Sequence, residues 1–162
     1  MHWLGNTLLI FFHVKKYLLH YLDDNKCLLY VCYMNVFETK YMVLASHIDE
    51  LNHVNNVVYL QWIQDVANLH WTQLKQNIDT SAYVWVVIRH EIDYVGQALL
   101  GDEILAKTWV GKTGGIRSIR HVEFYKNNKC IVKSQTTFCL VNSKSFKPTR
   151  ITDQILMMLA PK

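Results

Sequence analysis

One long apolar helical pattern constrains the fold of this chain more than any other feature. Apolar residues recur there at three- and four-residue spacing, which is typical of a helix with a buried face. The apolar arc is wide, so we expect this helix to be covered on most of its sides. Asn55 or Asn56 is suited to cap its N-terminus, because a side-chain oxygen can accept a backbone N–H of the first turn. The stripe consists of Leu60, Ile63, Ala67, Trp71 and Leu74, with Tyr59, Val66 and His70 beside it.

The segments on both sides of the helix alternate with the two-residue period of strands. One strand precedes the helix, with Phe37 to Ala45 on alternating faces. Four strands follow after Gln76, and the turn signals between them include "KTGG" and "NNK". A short helix is expected from Ile151 to Leu159. This order predicts an α+β fold in which a curved antiparallel sheet wraps around one long central helix.

Length and composition limit the classes of function. The chain has 162 residues, 51% hydrophobic and 19% charged, which suits one globular domain and excludes general disorder. The net charge of +4 is spread along the chain, without a basic run interleaved with aromatic residues. We therefore expect no nucleic-acid partner, whereas a phosphorylated small molecule fits the positive excess.

Residues 1–33 differ from the remainder, because they are rich in Leu, Tyr and Phe but have no sustained helical period. The uncharged run from Met1 to Val14 is shorter than the roughly 20 residues of a membrane helix. Lys15 and Lys16 follow this run, whereas a signal peptide has its positive charge first. We predict an N-terminal extension over 1–33, which is either an appendage or the result of an over-long start-site assignment, and one domain over 34–162. No membrane association is expected.

The cysteines bear on the cellular compartment. They form neither a CxxC pair nor a metal-finger spacing, and two of them lie in strand-like runs where thiols behave as small hydrophobic groups. A reduced, cytoplasmic location is the simplest interpretation. The four are Cys27, Cys32, Cys130 and Cys139.

A dense group of polar side chains precedes the apolar helix, at His47, Asp49, Glu50, Asn52, His53, Asn55 and Asn56. A helix N-terminus offers unpaired N–H groups and roughly half a positive charge. These suit an oxygen that develops negative charge during acyl transfer. A carboxylate nearby can act as a nucleophile or as a general base for water, and Asp49 is the candidate.

Each of these residues also has a structural interpretation. Asp49 could only cap a turn, and His53 could orient the loop as readily as act chemically. Asn55 and Asn56 are more typical of caps and loop fasteners than of catalysts, and Tyr59 has the spacing of a core residue.

A metal site is a further alternative for the same segment. His47, Asp49 and His53 could be imagined as ligands. Their H-x-D-x3-H spacing matches no strong metal signature, however, so we predict a metal-free site.

The segment also resembles a known family. The pattern D-x-x-x-H-V-N-N-x-x-Y-L-x-W, from Asp49 to Trp62, is similar to hotdog-fold thioesterases of the 4-hydroxybenzoyl-CoA thioesterase-like group and to the related acyl-ACP thioesterases. "GDEILAKTWV", "GGIRSIRHVEFY" and "FCLVNSKSFKPTRI" resemble the strands of that family. The resemblance covers about residues 35–153 and identifies 34–162 as a hotdog thioesterase domain.

This resemblance implies a homodimer or homotetramer with active sites at the subunit interface. It implies that Asp49 is catalytic with His53 beside it, and that the helix N-terminus polarises the thioester carbonyl. Asn55, Asn56 and Tyr59 would then lie against the substrate. No separate cofactor is implied, because coenzyme A is part of the substrate.

Three positions depart from the family pattern. Many members have Gly directly before the His, where this chain has Asn52. Plant-type acyl-ACP enzymes have an Asn two residues after the Asp and an acidic residue three after the strand tyrosine. This chain has Leu51 and Gln97 there. The departures favour acyl-CoA over acyl-ACP as the substrate.

A second group, Gly115, Arg117, Ser118 and Arg120, lies where family members often hold the nucleotide end of coenzyme A. Arginine suits phosphate because its planar fork bonds two oxygens at once. The Gly-Gly pair could equally be only a hairpin turn. The predicted function is hydrolysis of acyl-CoA thioesters to free acid and CoA. The alternatives are an acyl-ACP thioesterase and a non-catalytic hotdog module that binds acyl-CoA-like ligands.

Overall fold

The computed structural model describes residues 16–19, 30–33 and 35–160. Two short strands pair in a two-stranded antiparallel sheet within the predicted N-terminal extension, most of which lies outside the described residues. The other elements form a five-stranded antiparallel sheet and two helices. The elements are β1 (Lys16–Leu19), β2 (Tyr30–Tyr33), β3 (Phe37–Met42), α1 (Asn56–Leu74), β4 (Tyr83–Tyr94), β5 (Glu103–Gly114), β6 (Arg117–Lys126), β7 (Lys129–Asn142) and α2 (Asp153–Leu159).

The large sheet has the strand order β3-β5-β6-β7-β4, so β3 and β4 are its two edges. Three antiparallel pairings, β5 with β6, β6 with β7 and β7 with β4, make up most of it, and the first two are hairpins between consecutive strands. The prediction of an α+β fold with an antiparallel sheet against one long helix is therefore confirmed. The "NNK" turn is also confirmed, because Asn127 and Asn128 have φ of 48° and 62°, the left-handed values that a tight hairpin turn requires.

Helix α1 supplies much of the core. Four of its buried residues share one core cluster with Phe124 of β6, and the ring centroids of Tyr59 and Trp62 lie 5.6 and 6.0 Å from that of Phe124. The expectation that α1 is covered on most sides is wrong for the single chain, since Val57 and Leu69 are 69% and 50% exposed. The buried residues of α1 are Tyr59, Trp62, Ile63, Val66, Ala67 and His70.

Two element boundaries differ from the sequence prediction. Strand β3 ends at Met42 instead of Ala45, and a short 3-10 turn over Ala45–His47 follows. The turn is favoured because the Nδ1 atom of His47 accepts a hydrogen bond from the backbone N–H of Leu44 (3.1 Å). The terminal helix begins at Asp153, where the side chain of Thr152 caps it.

The sheet has two ends that are important for the site. At what we call the proximal end lies the N-terminus of α1, where the hydroxyl of Tyr94 donates to the carbonyl of Asn56 (3.4 Å). At the distal end lie the C-terminus of α1, helix α2 and the β5–β6 hairpin. There the N–H of Ile151 donates to the carbonyl of Gly115 (2.8 Å). Because α1 has 19 residues, the two ends are about 28 Å apart along its axis.

No helix in the described part of the chain is long and apolar enough to cross a membrane.

Candidate active site

Asp49 lies in a closed turn directly before α1. Its Oδ1 atom accepts hydrogen bonds from the backbone N–H of Leu51 (2.9 Å) and of His53 (3.3 Å). Its own N–H donates to the carbonyl of His53 at 2.9 Å, which closes the turn. The other carboxylate oxygen, Oδ2, has no hydrogen-bond partner among the residues that the structure describes. The turn therefore fixes the carboxylate while leaving one oxygen available.

The turn is attached to the rest of the loop by backbone bonds. Ile48 and Val54 form an antiparallel bridge, and the N–H of Asn55 donates to the carbonyl of His47 (2.9 Å). Asn52 has φ of 61°, in the left-handed region that glycine adopts without steric cost and that asparagine adopts more readily than most other residues. Asn52 can therefore occupy this tight left-handed turn, at the position where many family members have Gly.

The N-terminus of α1 begins beside this turn. The prediction that Asn55 or Asn56 caps the helix is confirmed for Asn55, whose Oδ1 accepts from the N–H of Val57 (2.9 Å). Asn56 is exposed, and its backbone N–H has no partner within the described ranges. A free N–H at the positive end of a helix is a donor for a developing oxyanion.

Two histidines flank Asp49. The ring of His53 is partly buried and makes no hydrogen bond to any other described residue. The ring of His47 has a structural role, because it accepts from Leu44 and lies edge-on to Trp62, with 5.2 Å between ring centroids. In the described part of the chain, no three His, Cys, Asp or Glu side chains are grouped as metal ligands.

Tyr59 is 2% exposed and lies in the aromatic core. Burial, as the main cause, raises the pKa of its hydroxyl to about 12. These are the surroundings of a core residue, which is the structural interpretation of Tyr59, and not those of a substrate contact.

The second predicted group lies at the distal end, and the structure does not bring its members together. Gly115 occupies the β5–β6 turn with φ of 61°. Arg117 is exposed, while Ser118 and Arg120 are buried on the opposite face of β6. Arg117 and Arg120 therefore cannot hold the same phosphate within one chain. Asp49 lies at the proximal end, so this group and Asp49 do not form one site in a single chain either.

Sequence analysis missed a buried polar cluster around Arg120. Its Nη1 atom donates to Nδ1 of His70 (2.8 Å) and to Oγ1 of Thr108 (3.2 Å), and all three residues are at most 6% exposed. Phe37 stacks on the ring of His70 with 5.5 Å between centroids. Burial, and secondarily the charge of Arg120, lowers the pKa of His70 to about 3. His70 is therefore a neutral acceptor, and its other ring nitrogen, Nε2, is buried without a hydrogen-bond partner in the described part of the chain.

A cavity of about 860 Å³ lies between the C-terminal half of α1 and the inner side of β4, β6 and β7. Trp71, Trp85 and Phe138 contribute apolar walls, and Ser118 and Arg120 also line it. The hydroxyl of Ser118 is already paired with that of Thr113 (2.7 Å). Two cationic residues line the cavity among those that the structure describes: Arg120, which is buried, and Lys75, which is exposed.

Several solved structures share this fold. A predicted thioesterase from Bacillus stearothermophilus matches with a TM-score of 0.70 at 22% identity, covering 76% of this chain and 93% of that chain. A 1,4-dihydroxy-2-naphthoyl-CoA thioesterase from Synechocystis matches with a TM-score of 0.67 at 15% identity, covering 77% of this chain and 96% of that chain. A Staphylococcus aureus protein in complex with CoA matches with a TM-score of 0.69 at 15% identity, covering 80% of this chain and 88% of that chain. The prediction of a hotdog fold is confirmed.

The chain has no significant match among curated protein sequences. A family model described as the acyl-ACP thioesterase N-terminal domain matches residues 34–159, which is most of the chain. The match includes the Asp49 turn, all of α1 and the five strands of the large sheet. The chain therefore belongs to the family of acyl-ACP thioesterase N-terminal domains.

Proposed function

We propose that this protein is a thioesterase that hydrolyses acyl-CoA thioesters to free acid and CoA. One observation carries the proposal: the Asp49 turn lies beside the free N–H of Asn56 at the N-terminus of α1. A carboxylate with one unpaired oxygen and a backbone donor at a helix N-terminus are the two groups that acyl transfer requires.

The thioester carbonyl would lie with its oxygen toward the N–H of Asn56. As a general base, Oδ2 of Asp49 removes a proton from water, and the resulting hydroxide attacks the carbonyl carbon. The C–S bond then breaks, and the CoA thiolate takes up the proton. As a nucleophile, Oδ2 attacks the carbon itself and expels the thiolate, and water then cleaves the mixed anhydride. In both routes negative charge develops on the carbonyl oxygen, where the helix N-terminus stabilises it. His53 would border the reacting group.

The edge strand β4 supports the proposal of a homodimer or a larger homo-oligomer. In the five-stranded sheet β4 pairs with β7 on one side only. Its Val84, Val86 and Ile88 side chains are 40%, 44% and 49% exposed, which is unusual for neighbouring apolar residues of an edge strand. Pairing of two β4 strands would cover them.

Such a dimer also accounts for the distance between the two predicted groups. Antiparallel pairing of two β4 strands about a two-fold axis sets the proximal end of one copy beside the distal end of the other. Asp49 of one copy would then lie at the same end as Arg117 of the second copy. Arg117 is exposed and free to contact a phosphate of CoA.

Acyl-ACP is the second candidate for the substrate, because the matched family model is that of acyl-ACP thioesterases. Leu51 and Gln97 argue for acyl-CoA, since Leu51 lacks the amide and Gln97 lacks the carboxylate that the plant-type catalytic set has at these two positions. A non-catalytic module that binds acyl-CoA-like ligands is the third candidate, and the retained Asp49 argues against it.

The test is thiol release from a panel of acyl-CoAs, aliphatic and aromatic, and from the same acyl groups carried on ACP. We expect release from at least one acyl-CoA, at a rate above that of its ACP counterpart. Faster release from ACP would favour the second candidate. Binding of acyl-CoA by calorimetry without thiol release would overturn the proposed hydrolysis and support the non-catalytic module.

A further inference from the structure

Arg120 is a buried cation that has no carboxylate partner among the described residues. It is 6% exposed, and no Asp or Glu oxygen of the described residues lies within 4 Å of its guanidinium. Its two acceptors, His70 and Thr108, are neutral and both bind the same nitrogen, Nη1. The Nε and Nη2 atoms make no hydrogen bond within the described part of the chain. Arg120, which lines the cavity, therefore keeps N–H donors that a ligand can bind.

The charge of Arg120 is not neutralised in another way. Burial lowers its pKa only to about 10, so the side chain is a cation at neutral pH. Asp79 also lines the cavity, but it is exposed at the rim and its Oδ1 atom accepts from the N–H of Ser81 (2.9 Å). A buried charge that lacks an opposite charge is unfavourable, and an anion that enters the cavity would correct this.

The cavity restricts what that anion can be. Its walls combine aromatic side chains of α1, β4 and β7, at Trp71, Trp85 and Phe138, with polar side chains of α1 such as Gln64 and Asn68. The ligand therefore needs an apolar part that packs against these rings, and an anionic group at the tip that reaches Arg120. A CoA phosphate does not fit, because it is attached to a polar nucleotide. A carboxylate does fit, since its two oxygens match the planar fork of arginine.

We propose that this cavity binds the acyl group of a substrate whose thioester lies at Asp49 of the second copy, and that Arg120 binds a carboxylate at the far end of that group. The substrate class is then an ω-carboxyacyl thioester, a dicarboxylic acid joined to the carrier through one of its two ends. The inference rests on the thioesterase function proposed above. It gives Arg120 a different ligand from the CoA phosphate that the sequence predicted, and leaves the phosphate to Arg117.

His70 serves this site as a positioning residue. Its Nδ1 atom accepts the hydrogen bond of Nη1 of Arg120. Because His70 is neutral, it leaves the positive charge of Arg120 available to a carboxylate. Phe37, stacked on the ring, fixes its orientation.

The experiment compares matched pairs of CoA thioesters on the wild-type protein, one ending in a carboxylate and one in a methyl group, over a series of chain lengths. At the best length we expect kcat/KM for the carboxylated member to be higher by about 10- to 100-fold, the range of a charge-assisted hydrogen bond. Equal or higher kcat/KM for the methyl-ended members at every length would overturn the inference while leaving the thioesterase function intact. If no thioester is hydrolysed, the proposed function fails, and calorimetric binding of the same pairs decides the inference alone.

A variant pair then assigns the effect to Arg120. Arg120→Gln removes the charge and keeps a hydrogen-bonding side chain, and Arg150→Gln makes the same change at an exposed position before α2. We expect Arg120→Gln to abolish the preference for the carboxylated thioester and Arg150→Gln to retain it. A preference that survives in a folded Arg120→Gln protein would show that another group binds the carboxylate. If that variant does not fold, the wild-type comparison still decides.

Discussion

Asn52 determines whether the Asp49 turn can close, because its φ of 61° is a conformation that most side chains disfavour. Asn52→Gly should leave stability nearly unchanged. Asn52→Val should lower the free energy of unfolding by about 1–3 kcal/mol, since a β-branched residue is strained there. Urea unfolding of the two variants measures both values. Equal stability of the valine and glycine variants would show that the turn adopts another backbone.

His70 should make the stability of the protein depend on pH. Its pKa is lowered from 6.5 to about 3 in the folded state, mainly by burial. The unfolded chain takes up this proton below pH 6.5 and the folded chain does not until near pH 3. The stabilising contribution is therefore complete above pH 6.5 and is lost as the pH falls, by at most about 1.4 kcal/mol per pH unit.

His70→Gln removes this titration and keeps an acceptor for Arg120. Unfolding free energies measured at several pH values should show the wild type losing its advantage over His70→Gln as the pH is lowered. Parallel curves for the two proteins would contradict the lowered pKa.

At the residue scale, the sequence predicted the groups that act through local structure. Asp49, Asn55 and the polar turn follow from residue type and from position before an apolar helix. The Arg120 cluster did not follow, because it joins α1 to the sheet, and only the three-dimensional packing shows that His70 faces β6. A local signal was nevertheless present: Arg120 shares the inward-facing alternation of Val122 and Phe124, where a cation is out of place.

The capping of α1 can be tested at the scale of the element. Asn55→Ala removes the acceptor of the Val57 N–H, and should cost about 1 kcal/mol of unfolding free energy. Asn55→Asp keeps the acceptor and adds a negative charge at the positive end of the helix, so it should be about as stable as the wild type. Denaturant unfolding of both variants checks this. A similar loss in both would mean that the side chain acts other than as a cap.

The sequence predicted the order of the helices and strands better than it predicted where they end and how far α1 is buried. The order of one strand, one long helix and four strands is confirmed, since hydrophobic period and turn residues are local properties. Strand β3 ends three residues earlier than predicted because His47 ties the following segment into a 3-10 turn. The coverage of α1 was overestimated, because an apolar residue such as Leu69 can be exposed in the single chain.

At the scale of the whole molecule, the exposed side chains of β4 predict a homo-oligomer. Light scattering at micromolar concentration should give at least twice the chain mass of 19.1 kDa. Val86→Lys places a charge on this edge strand and should shift the protein toward the monomer. Met157→Lys is the matched control, since Met157 is 71% exposed and lies on α2, outside the edge strand. A monomeric wild type would contradict the predicted assembly, and so would a Val86→Lys protein with unchanged mass.

The turnover number of Asp49→Asn on the best thioester of the panel tests the central claim most directly. The substitution keeps the shape of the side chain and an acceptor for the N–H groups of Leu51 and His53, but removes the negative charge. We expect kcat to fall by at least about 100-fold, the lower limit of what a positioned base or nucleophile contributes, with little change in KM. Asp153→Asn, the same change at an exposed position in α2, should leave kcat unaltered. Turnover by Asp49→Asn near that of the wild type would mean that the carboxylate only closes the turn, and the proposed mechanism would be wrong.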